Sequence, residues 1–361
     1  MAKKLVFDRI LFSTVLALVG FGLVMVYSAS AGIARESGAA WNPFLVKQAV
    51  AAVVGVALML AVMHVDYRRL REPWVVYLLL LGALGLLVAV LFAPQLNQTH
   101  RWLFVAGLSV QPSEIAKLVL VVFLAYQLEK KPEQVNQREL LVPALGAAGL
   151  MALLVLLEPH MSAALVLGGV TCLLLFLGGL SWRYIGAAFA VVVPLAALAA
   201  WISPYRRERV LTFLDPERDP LGSGFQVVQS LIAVGSGGVF GRGLGHGAQK
   251  LYFLPYPHTD FIFSIVGEER GLVGALALLA LFAVLAWKGA EAGRRAPDAF
   301  GRYLAWGLSG LLVMQALMHC SVVVSLLPST GVPMPFLTYG GSALVMALVA
   351  SGLVLNVSQH G

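Results

Sequence analysis

The residue of this sequence best placed to do chemistry is Asp260. It closes Leu254-Pro255-Tyr256-Pro257-His258-Thr259-Asp260, where two prolines stiffen the approach to a long apolar run. Two roles fit an acid there. It can cap the helix that follows, a position Asp favours, or it can stand as a carboxylate that takes a proton from a hydroxyl or binds a cation. At +4, +7, +11 and +14 come Ser264, Gly267, Gly271 and Gly274, one small-residue face below the acid. That face suits close helix contact or a groove open to a lipid. Glu268 and Glu269 lie lower on the same run. They are expected to pair with other helices, Lys117 among the candidates, or with Arg270.

A second set of ionisable residues opens an earlier apolar run. Glu114 and Lys117 are three residues apart and share a helix face, which Gln111 continues one turn earlier. Charges inside apolar runs are expensive and ask for a role. An internal ion pair that fixes helix packing and a polar wall with Lys117 facing an anionic group are equally good readings. Between residues 203 and 260 lies a third set, where Arg206, Arg207, Arg209, Arg218, Arg242 and Lys250 outnumber Glu208, Asp215, Glu217 and Asp219. A modest positive excess beside a membrane suits a phosphate-bearing lipid. The same segment holds the glycine-dense run Gly235–Gly247, whose amides could approach an anion closely. It is no dinucleotide or P-loop fingerprint, because the strand context and the terminal Gly-Lys-Ser/Thr are missing. Tight turns are its simpler reading.

These residues need elements to hold them, and composition says which. Of 361 residues, 59% are hydrophobic and 12% charged, where a soluble domain carries about 25% charged. The apolar residues gather into runs near the roughly 20 residues that cross a bilayer as helix. The pattern predicts an all-α polytopic membrane protein, one domain over residues 1–361, with ten spans: 10–31, 43–63, 74–93, 115–128, 140–157, 161–177, 184–202, 261–287, 303–326 and 336–357. The first run is too long for a signal-peptide core and is expected to remain as a span. Cys172 and Cys320 lie inside apolar runs and read as buried small hydrophobes.

Lysine and arginine fix the orientation. With the amino terminus in the cytoplasm, inside segments hold fourteen of these residues and short outside segments hold Arg35, Lys47 and Arg101. Both termini are then cytoplasmic. The same bias accounts for the net charge of +7 without a nucleic-acid partner. Residues 203–260 become a long extracytoplasmic loop between spans seven and eight, of the kind that carries function. Pro328–Ser342, dense in Pro and Gly, predicts an irregular lead-in to span ten, tolerated only where protein buries it or a cavity adjoins it.

Taken together, these landmarks resemble the SEDS family, which includes FtsW, RodA and SpoVE. They are Arg101-Trp102; Gln111-Pro112-Ser113-Glu114 with Lys117; Glu158-Pro159-His160; Gly224-Phe225-Gln226; Gln229-Ser230; Gly235–Gly245; Pro257–Phe263; Glu268-Glu269; and Thr338–Ser342. Gly224-Phe225-Gln226 and Gln249-Lys250 look closer to FtsW or SpoVE than to RodA. Tyr256, Arg270, Thr338 and Ser109 depart from the family pattern, and Tyr256 in place of the usual acid weakens any metal role for that loop.

The resemblance implies a lipid II polymerase at the outer face of the bacterial cytoplasmic membrane, acting in division or elongation. Its partners would be a class B penicillin-binding protein and other divisome or elongasome membrane proteins. Asp260 matches the family's catalytic aspartate. Arg101, Gln111, Glu114, Lys117, Arg209, Gln226, Gln229, Ser230, Lys250 and His258 are the expected substrate-binding residues. Whether Asp260 acts alone or through a divalent cation, Mg or Mn, stays open at this point. A lipid II flippase and a divisome scaffold are the competing readings, and the few intramembrane charges would suit a translocation path. The Ser-x-x-Lys and Lys-Thr-Gly of penicillin-binding enzymes are not found together, so cross-linking must come from another chain.

Overall fold

The structure, a computed structural model, describes residues 7–36, 41–94, 100–105, 108–188, 190, 194, 201, 204–215, 224–251, 254–255 and 257–361. It is helical, as the apolar runs require. In chain order the helices are α1 (Arg9–Glu36), α2 (Pro43–His64), α3 (Pro73–Leu91), α4 (Pro112–Lys130), α5 (Arg138–Leu157), α6 (Met161–Leu177), α7 (182–188), α8 (Pro204–Leu214), α9 (Phe225–Ser236), α10 (Ile262–Arg295), α11 (Ala299–Val323) and α12 (Gly341–His360). A small antiparallel hairpin pairs Leu103–Val105 with Leu108–Val110 ahead of α4. Among the described residues seven helices (α1, α2, α3, α5, α10, α11 and α12) are long and apolar enough to cross a membrane. Most of the expected seventh span, 184–202, lies outside the described residues.

Local chemistry starts these helices where the sequence does. Asn42 caps α2, its side chain accepting from the amides of Phe44 and Leu45, with Pro43 in the first turn. Proline also opens α3 and α4. Helix α4 is the central one: every residue from Pro112 to Leu128 except Ile115 is buried. That explains how it carries Glu114 and Lys117, since neither faces lipid. By contrast α2, α3 and α5 bury one narrow stripe and leave leucines and valines outside, the pattern of helices that face acyl chains.

Contacts between turns collect the described connections at two ends of the bundle. At one end Lys288 meets Asp8 at 3.1 Å, Tyr67 donates to Asp298 at 2.7 Å and Arg71 meets Glu129 at 3.4 Å. Asn136 ties the α4–α5 turn to the α6–α7 turn at Gly179 and Ser181. The opposite end gathers residues 42–48, 101–113, 158–160, 258–260 and 330–340, as the bonds described below show.

The described residues within 203–260 include two helices, α8 and α9, and α9 lays Val227, Ser230 and Ala233 inward against α10. The small-residue face of α10 accordingly makes close contact. Ser230 and Ser264 share a hydrogen bond at 2.8 Å, and a β-carbon added at Gly267 would touch Val234 at 3.3 Å. The open groove for a lipid is thereby ruled out along these turns.

Helix α10 is broken at Gly271 (φ 65°, ψ −162°). A break at this depth needs outside partners for its freed backbone groups, and the glycine run supplies them. Arg242 N and Gly243 N donate to the carbonyls of Glu268 and Glu269, both at 3.0 Å. Leu272 N and Val273 N donate to Gly238 O at 2.9 Å and Val239 O at 3.1 Å. Gly238, Gly241 and Gly243 all have positive φ, and a β-carbon at Gly241 would overlap the Glu269 carbonyl. Glycine is therefore a steric requirement of this clasp.

Candidate active site

Asp260 lies in the turn before α10, half-buried. The N-cap of α10 is Phe261, whose side chain caps nothing. Asp260 thus stands one residue before the N-cap position of α10. Its carboxylate packs against the lead-in to α12: a β-carbon built on Gly331 would stand 3.5 and 3.6 Å from its two oxygens.

Three elements frame the turn that carries it. Tyr339 N donates to His258 O at 3.0 Å. The Thr338 hydroxyl accepts from Met334 N at 2.8 Å and donates to Thr259 O at 3.4 Å. Gln48 of α2, buried, reads both sides of the next peptides: Nε2 donates to Thr338 O at 3.2 Å and Oε1 accepts from Gly340 N at 3.1 Å. The His258 ring sits between Phe44 and Tyr339, with centroids 4.8 and 5.6 Å away. Burial lowers the His258 pKa from its ordinary value. The irregular segment 328–340 is thus held in protein, as its Pro and Gly content demanded.

A buried polar layer runs on from this frame. Lys117 donates to Glu114 at 2.8 Å, and both side chains are almost fully buried. A cavity of about 10 Å³ beside them is lined by Gln315, Pro333 and Pro335 among others, so the pair adjoins the segment that flanks Asp260. Of the two readings of Lys117, the structure displays the internal ion pair. The expected pairing of Glu268 or Glu269 with Lys117 does not form, because Glu114 takes that ammonium. Gln111 Nε2 lies 3.3 Å from His160 Nδ1, and the Ser113 hydroxyl lies 3.4 Å from it. An amide N–H can only donate, so Nδ1 accepts and the proton of the neutral ring is on Nε2. Burial, with Arg101 and Lys117 nearby, pushes the His160 pKa down to about 3. Arg101 donates to the carbonyls of Glu158 and Pro159. The Glu158 carboxylate is fully buried with no hydrogen-bond partner for either oxygen among the described residues. Burial raises its pKa to about 8, against a smaller opposing pull from Arg101.

Other expected site residues are engaged elsewhere. Ser230 is fully buried, shared between Ser264 and the Val323 carbonyl at 2.8 Å each, so it locks α9 to α10. Lys250 is buried against Glu269 at 2.5 Å and donates to the Ser28 hydroxyl at 2.8 Å; Ser28 donates to Glu269 at 2.7 Å. Glu268 accepts from Ala248 N at 2.7 Å and Gln249 N at 3.2 Å, with Arg242 3.6 Å away. The amides that hold an anion are those of Ala248 and Gln249, just past the glycine run, and the anion is the protein's own Glu268. Gln226 and Gln229 are half-buried on α9. Arg209 lies in α8, and its side chain is outside the described residues. Ser28 and Gln48 carry no local motif and were missed from sequence. Among the described residues no three His, Cys, Asp or Glu side chains converge on one point.

Comparison with known proteins follows the geometry. The family profile described as cell cycle protein, FTSW_RODA_SPOVE, matches residues 8–361. The chain is 42% identical to the probable peptidoglycan glycosyltransferase FtsW of Geobacter metallireducens, covering 98% of this chain and 95% of that one. It is 39% identical to stage V sporulation protein E of Bacillus subtilis, covering 99% and 98%. Among solved structures it is similar to a chain described under structural coordination of polymerization and crosslinking by a peptidoglycan synthase complex, with TM-score 0.80, 35% identity and coverage of 98% and 97%. It is also similar to the rod shape determining protein RodA of Thermus thermophilus, with TM-score 0.71, 30% identity and coverage of 98% and 97%.

Proposed function

This chain belongs to the cell cycle protein family of FtsW, RodA and SpoVE, and from that premise we propose that it works as a peptidoglycan glycosyltransferase that polymerises lipid II. The sugar 4-hydroxyl of one lipid II attacks the anomeric carbon of the growing strand. A C–O bond forms there, the bond to pyrophosphate breaks, and undecaprenyl pyrophosphate leaves with the electron pair. The hydroxyl proton passes to Asp260 as general base. Arg101 and the arginines of 204–214 are the cations for the pyrophosphate; Lys117 and Lys250 are already neutralised by Glu114 and Glu269.

The observation that carries this reading is the frame around Asp260. Its carboxylate stands on a turn bonded to the lead-in to α12, which Gln48 of α2 holds in its turn, and such support before substrate arrives is what an acid–base group needs. The charge bias of the turns supports an orientation in the bacterial cytoplasmic membrane with both termini in the cytoplasm and Asp260 outward. The partner is a single-span class B penicillin-binding protein that cross-links the strands, alongside other divisome membrane proteins, and the role is FtsW-like.

A flippase reading has one observation behind it, the buried ionisable groups. Glu114 closes on Lys117 and Glu269 on Lys250, which supports packing rather than a path. Detergent-purified chain with lipid II separates the two, since glycan product needs no second compartment. In that assay Asp260→Asn, at matched expression and melting temperature, should lose roughly 10²–10⁴-fold of polymerisation, the scale of removing a general base. A folded variant that keeps more than about a tenth of wild-type rate removes Asp260 from the central role.

A further inference from the structure

We propose that His319 is a positioning residue for Asp260, acting through the backbone of Gly331 and Val332; the inference rests on the catalytic reading of Asp260. His319 lies on α11 and is 1% exposed. Its Nδ1 is 2.8 Å from Val332 O. A carbonyl oxygen only accepts, so Nδ1 carries the proton and donates. The other nitrogen, Nε2, is buried with no hydrogen-bond partner among the described residues. For packing alone this is a poor choice, because a buried unbonded nitrogen costs stability and an apolar side chain of similar size would not. What histidine adds at this position is one donor aimed at one carbonyl.

That carbonyl sits at a sensitive place. Gly331, the preceding residue, has φ +66° and packs directly against the Asp260 carboxylate. Glycine is the conformationally loosest residue. Pro333, the following residue, fixes its own φ and restricts the backbone of Val332. With Val332 O pinned by His319, the freedom left at Gly331 is removed from both sides. Without the pin, Gly331 can swing and the wall beside Asp260 moves with it. The Met334 and Thr338 bonds on the far side of Pro333 do not reach Gly331. A displacement of about 1 Å near reacting groups is enough to cost on the order of 10²-fold in rate.

The test uses the full chain and glycan synthesis from lipid II, with kcat and KM measured separately. His319→Leu fills the space without a donor. It should lower kcat about 10- to 100-fold, hold KM within about threefold and leave the melting temperature nearly unchanged. His319→Asn, whose amide N–H replaces the Nδ1–H, should keep kcat within about threefold of wild type. A folded His319→Leu with wild-type kcat overturns the proposal, and so does a loss confined to KM. Should His319→Leu not fold, His319→Asn decides. A loss beyond about tenfold in kcat, or failure to fold, counts against the role, because only a donor is asked of position 319. Wild type and Asp260→Asn in the same assay keep the two readings apart. A wild type without product, or Asp260→Asn at full rate, removes the reading of Asp260. An active wild type with an unaffected His319→Leu removes only His319.

Discussion

Glu158 should make the protein less stable as pH rises, and Glu158→Gln should abolish that slope. The carboxyl is fully buried at the α5–α6 turn, and Arg101 spends its hydrogen bonds there on backbone carbonyls rather than on the acid. Desolvation, only partly offset by Arg101, raises the pKa from 4.5 to about 8. In the unfolded chain the same group ionises at its ordinary value. Between pH 4.5 and 8 the folded state therefore holds a proton that the unfolded state has lost. Stability is full below about pH 4.5, falls as pH rises through that window and levels off above 8. The gap of about three and a half pH units amounts to roughly 5 kcal/mol above pH 8 and roughly 3 kcal/mol at pH 7. His160 also faces this turn, but with its pKa near 3 it stays neutral across the window. Arg101 stays charged. Thermal unfolding in detergent at pH 5 and pH 8.5 reads the effect. The gain in melting temperature of Glu158→Gln over wild type should be small at pH 5 and larger by on the order of 5 °C at pH 8.5. An equal separation at both pH values would refute the assignment of a buried, protonated acid.

Three further outcomes are expected. Gly241→Ala pushes a β-carbon into the Glu269 carbonyl and forces a positive-φ residue out of place, so it should open the clasp at Gly271 and cut recovery of folded, monodisperse protein in detergent extraction. Lys250→Met leaves the buried Glu269 without its cation and should cost roughly 3–5 kcal/mol, visible as a drop in melting temperature; adding Glu269→Gln should restore part of it, and a double variant no better than the single would argue against the pair. In cells, depletion should stop septation while side-wall growth continues, whereas cells that round up and still divide would show a RodA-like role.

The apolar runs, the proline and asparagine helix starts and the alternation of Lys and Arg were all legible in the sequence. Transfer of side chains into lipid and capping of a first turn depend on a residue and its near neighbours, so a one-dimensional reading captures them. Asp260 was legible for the same reason, as an acid on a stiff approach to an apolar run. Apart from Glu114 with Lys117, one of the two readings given for that pair, the partners of the charges were not. Lys117 found Glu114 three residues away, while Glu269 found Lys250 and Ser28, the latter 241 residues distant. Gln48 reaches across 290 residues to Thr338, and no period in either segment marks the meeting. The glycine run read as turns or an anion site. Only packing revealed that Gly271 breaks α10 and that the loop's amides serve the carbonyls and the carboxylate which the break exposes. Local sequence sets which groups must be satisfied; which group satisfies them is a property of helices brought together in three dimensions.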